Sequence, residues 1–122
     1  MIDHLTVRVS DLARSRAFYE AALRPLGYSV TVVFGPFLGF GAGGETDFWI
    51  TQAPGPYGPT HLAFRARDRT TVRAFHAAAL AAGARDNGPP GPRPEYHEKY
   101  YGAFVLDPDG YNLEAVCRKE EP

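Results

Sequence analysis

Slid against itself by 57 positions, this sequence repeats, and that repeat constrains the fold more than any other feature. His4-Leu5 falls on His61-Leu62, Arg8 on Arg65 and Asp11 on Asp68. Further on, Arg16-Ala17-Phe18 falls on Arg73-Ala74-Phe75, and Ala21-Ala22-Leu23 on Ala78-Ala79-Leu80. These are ten identities in the twenty ungapped pairs from 4/61 to 23/80, where chance gives about one or two. Two unrelated helices sharing alanines do not explain the aligned His-Leu and Asp. The chain is therefore expected to be two copies of one unit, with a first module of about residues 1–53 and a second of about 59–118, in a single domain spanning 1–122.

Each copy has the same grammar. A short alternating strand opens it (Ile2–Val9, Thr60–Arg67), and an Asp follows (Asp11, Asp68), placed to cap a helix. The pattern predicts helices over about Leu12–Leu26 and Thr70–Ala82, stopped by Gly27 and Gly83. β-rich pieces come next: Tyr28–Phe34, Phe37–Phe40 and Asp47–Thr51 in the first copy, Ala103–Leu106 and Tyr111–Cys117 in the second. Asp107-Pro108-Asp109-Gly110 is a turn between the last two. Strand, helix, then strands makes each copy a βαβββ unit and the chain α+β. The first post-helix strand of the second copy is weak; the Pro/Gly-rich stretch Asn87–Pro94 occupies or follows it, and Gly83–Pro94 reads as a long loop.

Side chains alternate across a strand. In the first strand Leu5, Val7 and Val9 share the face that packs on the helix, which turns His4, Thr6 and Arg8 the other way. In the second copy Leu62 and Phe64 face the helix, and His61, Ala63 and Arg65 the opposite side. In the last strand Glu114 can share that side with the histidines. Two imidazoles and a carboxylate suit a borderline divalent ion and leave positions open for substrate. Alternation alone equally allows hydrogen-bonded histidines, with Glu114 partnering Arg8 or Arg65. The repeat adds weight to the metal reading by placing a His at the same position of both copies.

Ile2-Asp3-His4-Leu5-Thr6-Val7 with Asp11 and Arg16-Ala17-Phe18-Tyr19, Pro59-Thr60-His61-Leu62-Ala63-Phe64, and Phe104 through the turn to Asn112-Leu113-Glu114 resemble the vicinal oxygen chelate superfamily of glyoxalases, bleomycin-resistance proteins and extradiol dioxygenases. The resemblance covers nearly the whole chain. It implies two βαβββ modules forming a curved mixed-sheet cup with the helices on the outer face. It also implies His4, His61 and Glu114 as ligands of one divalent metal ion (Zn, Fe, Mn or Ni). The implied activity is that of a metal-dependent lyase, isomerase or dioxygenase acting on a small oxygen-rich substrate, in a homodimer. Glyoxalase I has a further carboxylate on the last strand of the first module. Here Asp47-Phe48-Trp49-Ile50-Thr51 puts Trp49 or a neighbour at that place. The rival expectation, from the bleomycin-resistance branch, is a non-catalytic protein that sequesters a drug or metabolite.

Other residues offer candidate roles. The stretch from Pro94 to Tyr101 reads as either a surface loop or a rim over the site. In the rim reading His97 is a general acid/base, Glu114 takes part in catalysis, and Tyr100 or Tyr101 is a proton donor or stacking surface. Arg8 and Arg65 either hold an anionic substrate or pair with acidic neighbours. Trp49, with Phe40, Phe48 and Tyr57, either lines the cup or fills the core. His76 is expected on the surface of the second helix.

Composition closes off other classes. With 44% hydrophobic and 22% charged residues the chain is globular. Thirteen basic against fourteen acidic residues, net −1, leave no basic excess for nucleic acid. No apolar run is long enough to span a bilayer. Met1 to His4 lacks the features of a signal peptide, and the lone Cys117 has no internal disulfide partner, so a cytoplasmic location is expected.

Overall fold

The computed structural model describes residues 1–120. Val7 and Val9 are buried and Thr6 and Arg8 exposed along β1 (Leu5–Val9), as alternation requires. Asp11 caps α1 (Leu12–Leu23) by accepting from the Arg14 N–H at 3.1 Å. Helix α1 is three residues shorter than its pattern. Residues Arg24–Leu26 continue as a single 3-10 turn, because Pro25 has no N–H to return to the preceding turn. Gly27, at φ 85°, then reverses the chain into β2 (Ser29–Phe34), β3 (Phe37–Gly41) and β4 (Phe48–Gln52). The second copy runs β5 (His61–Arg65), α2 (Arg69–Ala81), β6 (Arg85–Pro92), β7 (Tyr101–Leu106) and β8 (Asn112–Cys117). Its helix is capped by Asp68, which accepts from Thr71 N at 2.7 Å; the Thr71 hydroxyl, and then this N–H, hold the Asp68 carboxyl below its ordinary value.

The two sheets have the same topology, β1-β4-β3-β2 and β5-β8-β7-β6, each with one parallel pair and two antiparallel ones. The fold is thus α+β, two βαβββ modules. The stretch expected to be largely loop is instead strand β6. It lies at a sheet edge, where only one side must be paired, and its register breaks between Asp86 and Gly88 and between Gly88 and Gly91. An edge with bulges tolerates Pro89 and Pro90, which an inner strand would not.

The helix-side faces of both modules merge into one core. Phe64 of β5 stacks edge-on against Phe48 of β4 (5.5 Å) and Tyr28 (5.6 Å), and both helices contribute to the same cluster. The 107–110 turn fastens the modules together. Asp107 accepts from the Tyr111 N–H at 2.8 Å and the Asp109 N–H at 2.9 Å, and Tyr19 of α1 donates its hydroxyl to the same carboxylate. Tyr111 donates to the Arg8 carbonyl at 2.7 Å, and Asp109 accepts from Ser10 N at 3.0 Å. Burial raises both Asp107 and Tyr19 above their ordinary values. Among the described residues no helix is long and apolar enough to cross a membrane.

One sequence expectation is corrected here, and one open alternative is decided. His76 is buried, not on the helix surface: it bonds through Nε2 to Asp86 Oδ1 at 3.0 Å and so ties α2 to the edge strand. Phe40 and Phe48 belong to the core, since both lie on the helix-side face. Tyr57 packs against that core and donates to the Ala53 carbonyl at 2.7 Å.

Candidate metal and substrate site

The outward face of the second sheet is built around one buried carboxylate. Glu114 in β8 is 1% exposed, although it sits on the face away from the helices. Its register partner on β5 is Ala63, whose small side chain leaves room, and on β7 it is Phe104. His61, two residues before Ala63, brings Nε2 to 2.9 Å from Glu114 Oε1. The imidazole stacks on the Phe104 ring at 5.9 Å and 25°. Tyr100 donates its hydroxyl to Glu114 Oε2. Burial, then this bond and the charge it faces, push the Tyr100 hydroxyl up to about 12, so it keeps its proton at neutral pH. A Cβ at position 102 would lie 2.9 Å from Glu114 Oε2, so only glycine there leaves the carboxylate its place.

Both carboxylate oxygens are therefore engaged, as a buried charge requires. Glu114 is not partnered by Arg8 or Arg65. The Arg8 guanidinium is 3.4 Å from the Pro54 carbonyl. The His61–Glu114 pair also has the dimensions of two adjacent metal ligands: donors about 2.1 Å from an ion at tetrahedral or octahedral angles lie roughly 3.0–3.4 Å apart.

His4 sits on the corresponding face of the first sheet. It is exposed, with Nδ1 2.7 Å from Asp3 Oδ1, and shares a hollow of about 310 Å³ with Thr6, Phe34, Phe37, Thr46 and Trp49. The two sheets superpose in register: Thr6 is opposite Trp49 as Ala63 is opposite Glu114. Trp49 thus occupies the first module's equivalent of the Glu114 position. Among the described residues of one chain, no three His, Cys, Asp or Glu side chains gather closely enough to hold a metal ion. The core joins the modules on their helix side, so His4 lies on a separate surface from His61 and Glu114.

Two further candidates diverge. His97 is exposed in the turn before β7, and its Nδ1 accepts from Lys99 N at 3.0 Å. Tyr101 points to the helix face, where its hydroxyl accepts from Arg73 at 3.2 Å and Arg69 lies over its ring at 4.9 Å. Its neighbour Tyr100 is the tyrosine beside Glu114. Gly102, Phe104 and Arg118, whose guanidinium lies 5.0 Å over the Tyr100 ring, were not singled out by sequence reasoning. The hairpin register set by the 107–110 turn was the available clue, because it places Phe104 across from Glu114.

This fold is shared with known proteins. The family model of the Glyoxalase/Bleomycin resistance protein/Dioxygenase superfamily matches residues 1–115. A glyoxalase/bleomycin resistance protein from Albidiferax ferrireducens T118 is 33% identical, with 93% of this chain and 95% of that one covered and a TM-score of 0.80. The fold alone is shared with a glyoxalase/bleomycin resistance protein/dioxygenase family enzyme from Burkholderia phytofirmans PsJN (17% identity, 94% and 96% covered, TM-score 0.73). It is likewise shared with the fosfomycin resistance protein FosX from Mesorhizobium loti (21%, 95% and 90%, 0.69). No curated protein sequence matches. The chain belongs to the glyoxalase/bleomycin resistance protein/dioxygenase superfamily.

Proposed function

We propose that this protein is a metal-dependent enzyme, a glyoxalase-like lyase or isomerase or a dioxygenase, acting on a small substrate that presents oxygens to a divalent ion. The observation that carries this reading is Glu114, a carboxylate buried on an otherwise open sheet face and held by His61 on one oxygen and Tyr100 on the other. Desolvating a carboxylate there is costly for a surface that only needs to be soluble, and the arrangement suits a ligand pair. His61 and Glu114 would hold the ion with His4 as third ligand. Since one chain keeps His4 on a different surface, the set is completed by a second copy, the first sheet of one protomer covering the second sheet of the other. When bound, the ion supplies Lewis acidity toward the substrate oxygens.

The chain's own residues do the rest. Tyr100 keeps its proton and fixes the Glu114 rotamer by donating to Oε2. Phe104 holds the His61 ring by stacking. His97 has Nδ1 engaged by Lys99 N, which leaves Nε2 as the nitrogen open to exchange a proton with the substrate. Trp49 and Arg8, on the His4 face, contact substrate across the closed cup. A second reading, sequestration of a ligand without turnover, draws on Phe34 and Phe37, which expose aromatic surface beside Trp49 in the His4 hollow.

Metal analysis of untagged protein purified without chelator tests the proposal. Near-stoichiometric divalent metal, lost in His61→Ala and in Glu114→Gln, supports it. A wild type that neither carries metal nor takes it up on reconstitution refutes it and leaves the sequestration reading, in which ligand binding survives chelation.

A further inference from the structure

The open face of the second sheet continues beyond Glu114 into a different chemical environment. Ala63, Ala66 and Val116 floor a hollow of about 420 Å³ whose walls are Arg65, Arg118 and Lys119. Ala63 is the register partner of Glu114 and Val116 follows Glu114 by two residues on the same face, so the hollow begins beside the carboxylate and runs about 7 Å along the strand from it. Four cations elsewhere have a carboxylate partner: Arg14 with Asp109, Arg16 with Glu20, Arg67 with Asp68 and Lys99 with Glu120. Arg65, Arg118 and Lys119 make no ion pair with any described residue. The whole chain carries a net charge of −1, so three cations around one hollow with no ion pair to a described residue are not the expression of a basic protein. They repel one another unless an anion lies between them. The Arg118 guanidinium is also positioned, 5.0 Å over the ring of Tyr100, the residue that bonds Glu114. Stacking in that way leaves its N–H donors unspent.

We propose that this hollow is an oxyanion subsite, in which Arg65 and Arg118, aided by Lys119, bind a carboxylate or phosphate group of the substrate. The substrate's oxygen-bearing reactive end then lies at the neighbouring His61 and Glu114. The substrate class is a small anionic molecule, with its charge at one end and its vicinal oxygens at the other. The placement of the reactive end rests on the proposed metal site; the oxyanion subsite itself does not.

The full chain is titrated with inorganic phosphate, and separately with acetate, at low salt while amide chemical shifts are followed, with glycerol as a neutral control. Saturable shifts centred on Arg65, Ala66, Val116 and Arg118 are expected, with glycerol giving none. Saturation by phosphate alone assigns the phosphate class; saturation by acetate as well assigns carboxylates. The exposed double variant Arg65→Gln/Arg118→Gln should weaken the fitted Kd at least tenfold. Arg93→Gln should leave it unchanged, because that side chain is spent on the Pro89 carbonyl at 2.8 Å. Metal content is read on the same samples. The double variant should retain metal, and His61→Ala should lose metal yet still bind phosphate, so the two proposals fail separately. Shifts that do not saturate, that spread over all exposed cations, or that persist with the same Kd in the double variant overturn the oxyanion subsite.

Discussion

Replacing Tyr100 with Phe removes one oxygen and leaves the ring beneath Arg118 in place. In the wild type that hydroxyl supplies the hydrogen bond to Oε2 of Glu114, a residue 1% exposed, while His61 bonds only Oε1. The variant leaves Oε2 buried without its donor. A hydrogen bond to a charged group contributes about 1.5–3 kcal/mol. Tyr100→Phe should therefore lower unfolding stability by roughly that amount, about 5–12 °C in Tm for a chain of this size. It also frees the rotamer of the carboxylate proposed as a metal ligand, and losing such a supporting partner typically weakens metal affinity about 10–100-fold. Urea unfolding of metal-free protein isolates the first effect, and competition with a chelator of known affinity isolates the second. Tyr101→Phe is the control: its hydroxyl faces Arg73 on the helix side, so it should cost about 1 kcal/mol or less and leave metal affinity alone. If Tyr100→Phe matched the wild type in both measurements, or if Tyr101→Phe were the variant that lost metal, the account of Glu114 would be wrong.

Gly102→Ala should push a methyl against Glu114 Oε2 and the Tyr100 ring, costing about 1–3 kcal/mol and weakening metal binding. Gly91→Ala, whose new Cβ meets the end of the Arg93 side chain at 3.1 Å and the Pro89 carbonyl at an ordinary 4.0 Å, should stay within about 0.5 kcal/mol of wild type by urea unfolding. Asp107 gives a pH prediction with a definite sign. Burial raises its folded pKa above the unfolded value, so its contribution is fully present below the unfolded pKa and is lost as pH rises through the folded one. Asp107→Asn cannot ionise, so relative to wild type it should be more stable at pH 7 than at pH 4, as unfolding curves at the two pH values would show; a pH-independent difference would contradict this.

Much of this was legible before any coordinates. The 57-residue repeat carried the two βαβββ modules and put His4 and His61 in equivalent places, and strand parity set Glu114 on the His61 side. Alignment on the last strand placed Trp49 or a neighbour at the first module's counterpart of Glu114, and the strand register of the fold makes it Trp49. Three things escaped. Strand β6 was hidden because Gly and Pro report local backbone preference, whereas an edge position with bulges suspends the usual ban on them. The burial of His76 is another, because helical periodicity cannot foresee that the edge strand folds back to offer Asp86. The separation of His4 from His61 was invisible for a deeper reason. Alternation says which side of a strand a residue occupies, but not which sheet that side will face.

That separation makes the composite site the central claim, and complementation between two defective chains tests it most directly. His4→Ala and His61→Ala proteins, each purified without metal, are unfolded together, refolded as a mixture and reconstituted, and metal per chain is measured. If His4 of one protomer serves His61 and Glu114 of the other, each variant alone binds none. A mixed dimer regains one complete site, so metal returns in proportion to the heterodimer formed. If the mixture stays as empty as its parents while the wild type treated identically takes up metal, His4 and His61 do not meet across two chains and the composite site is wrong.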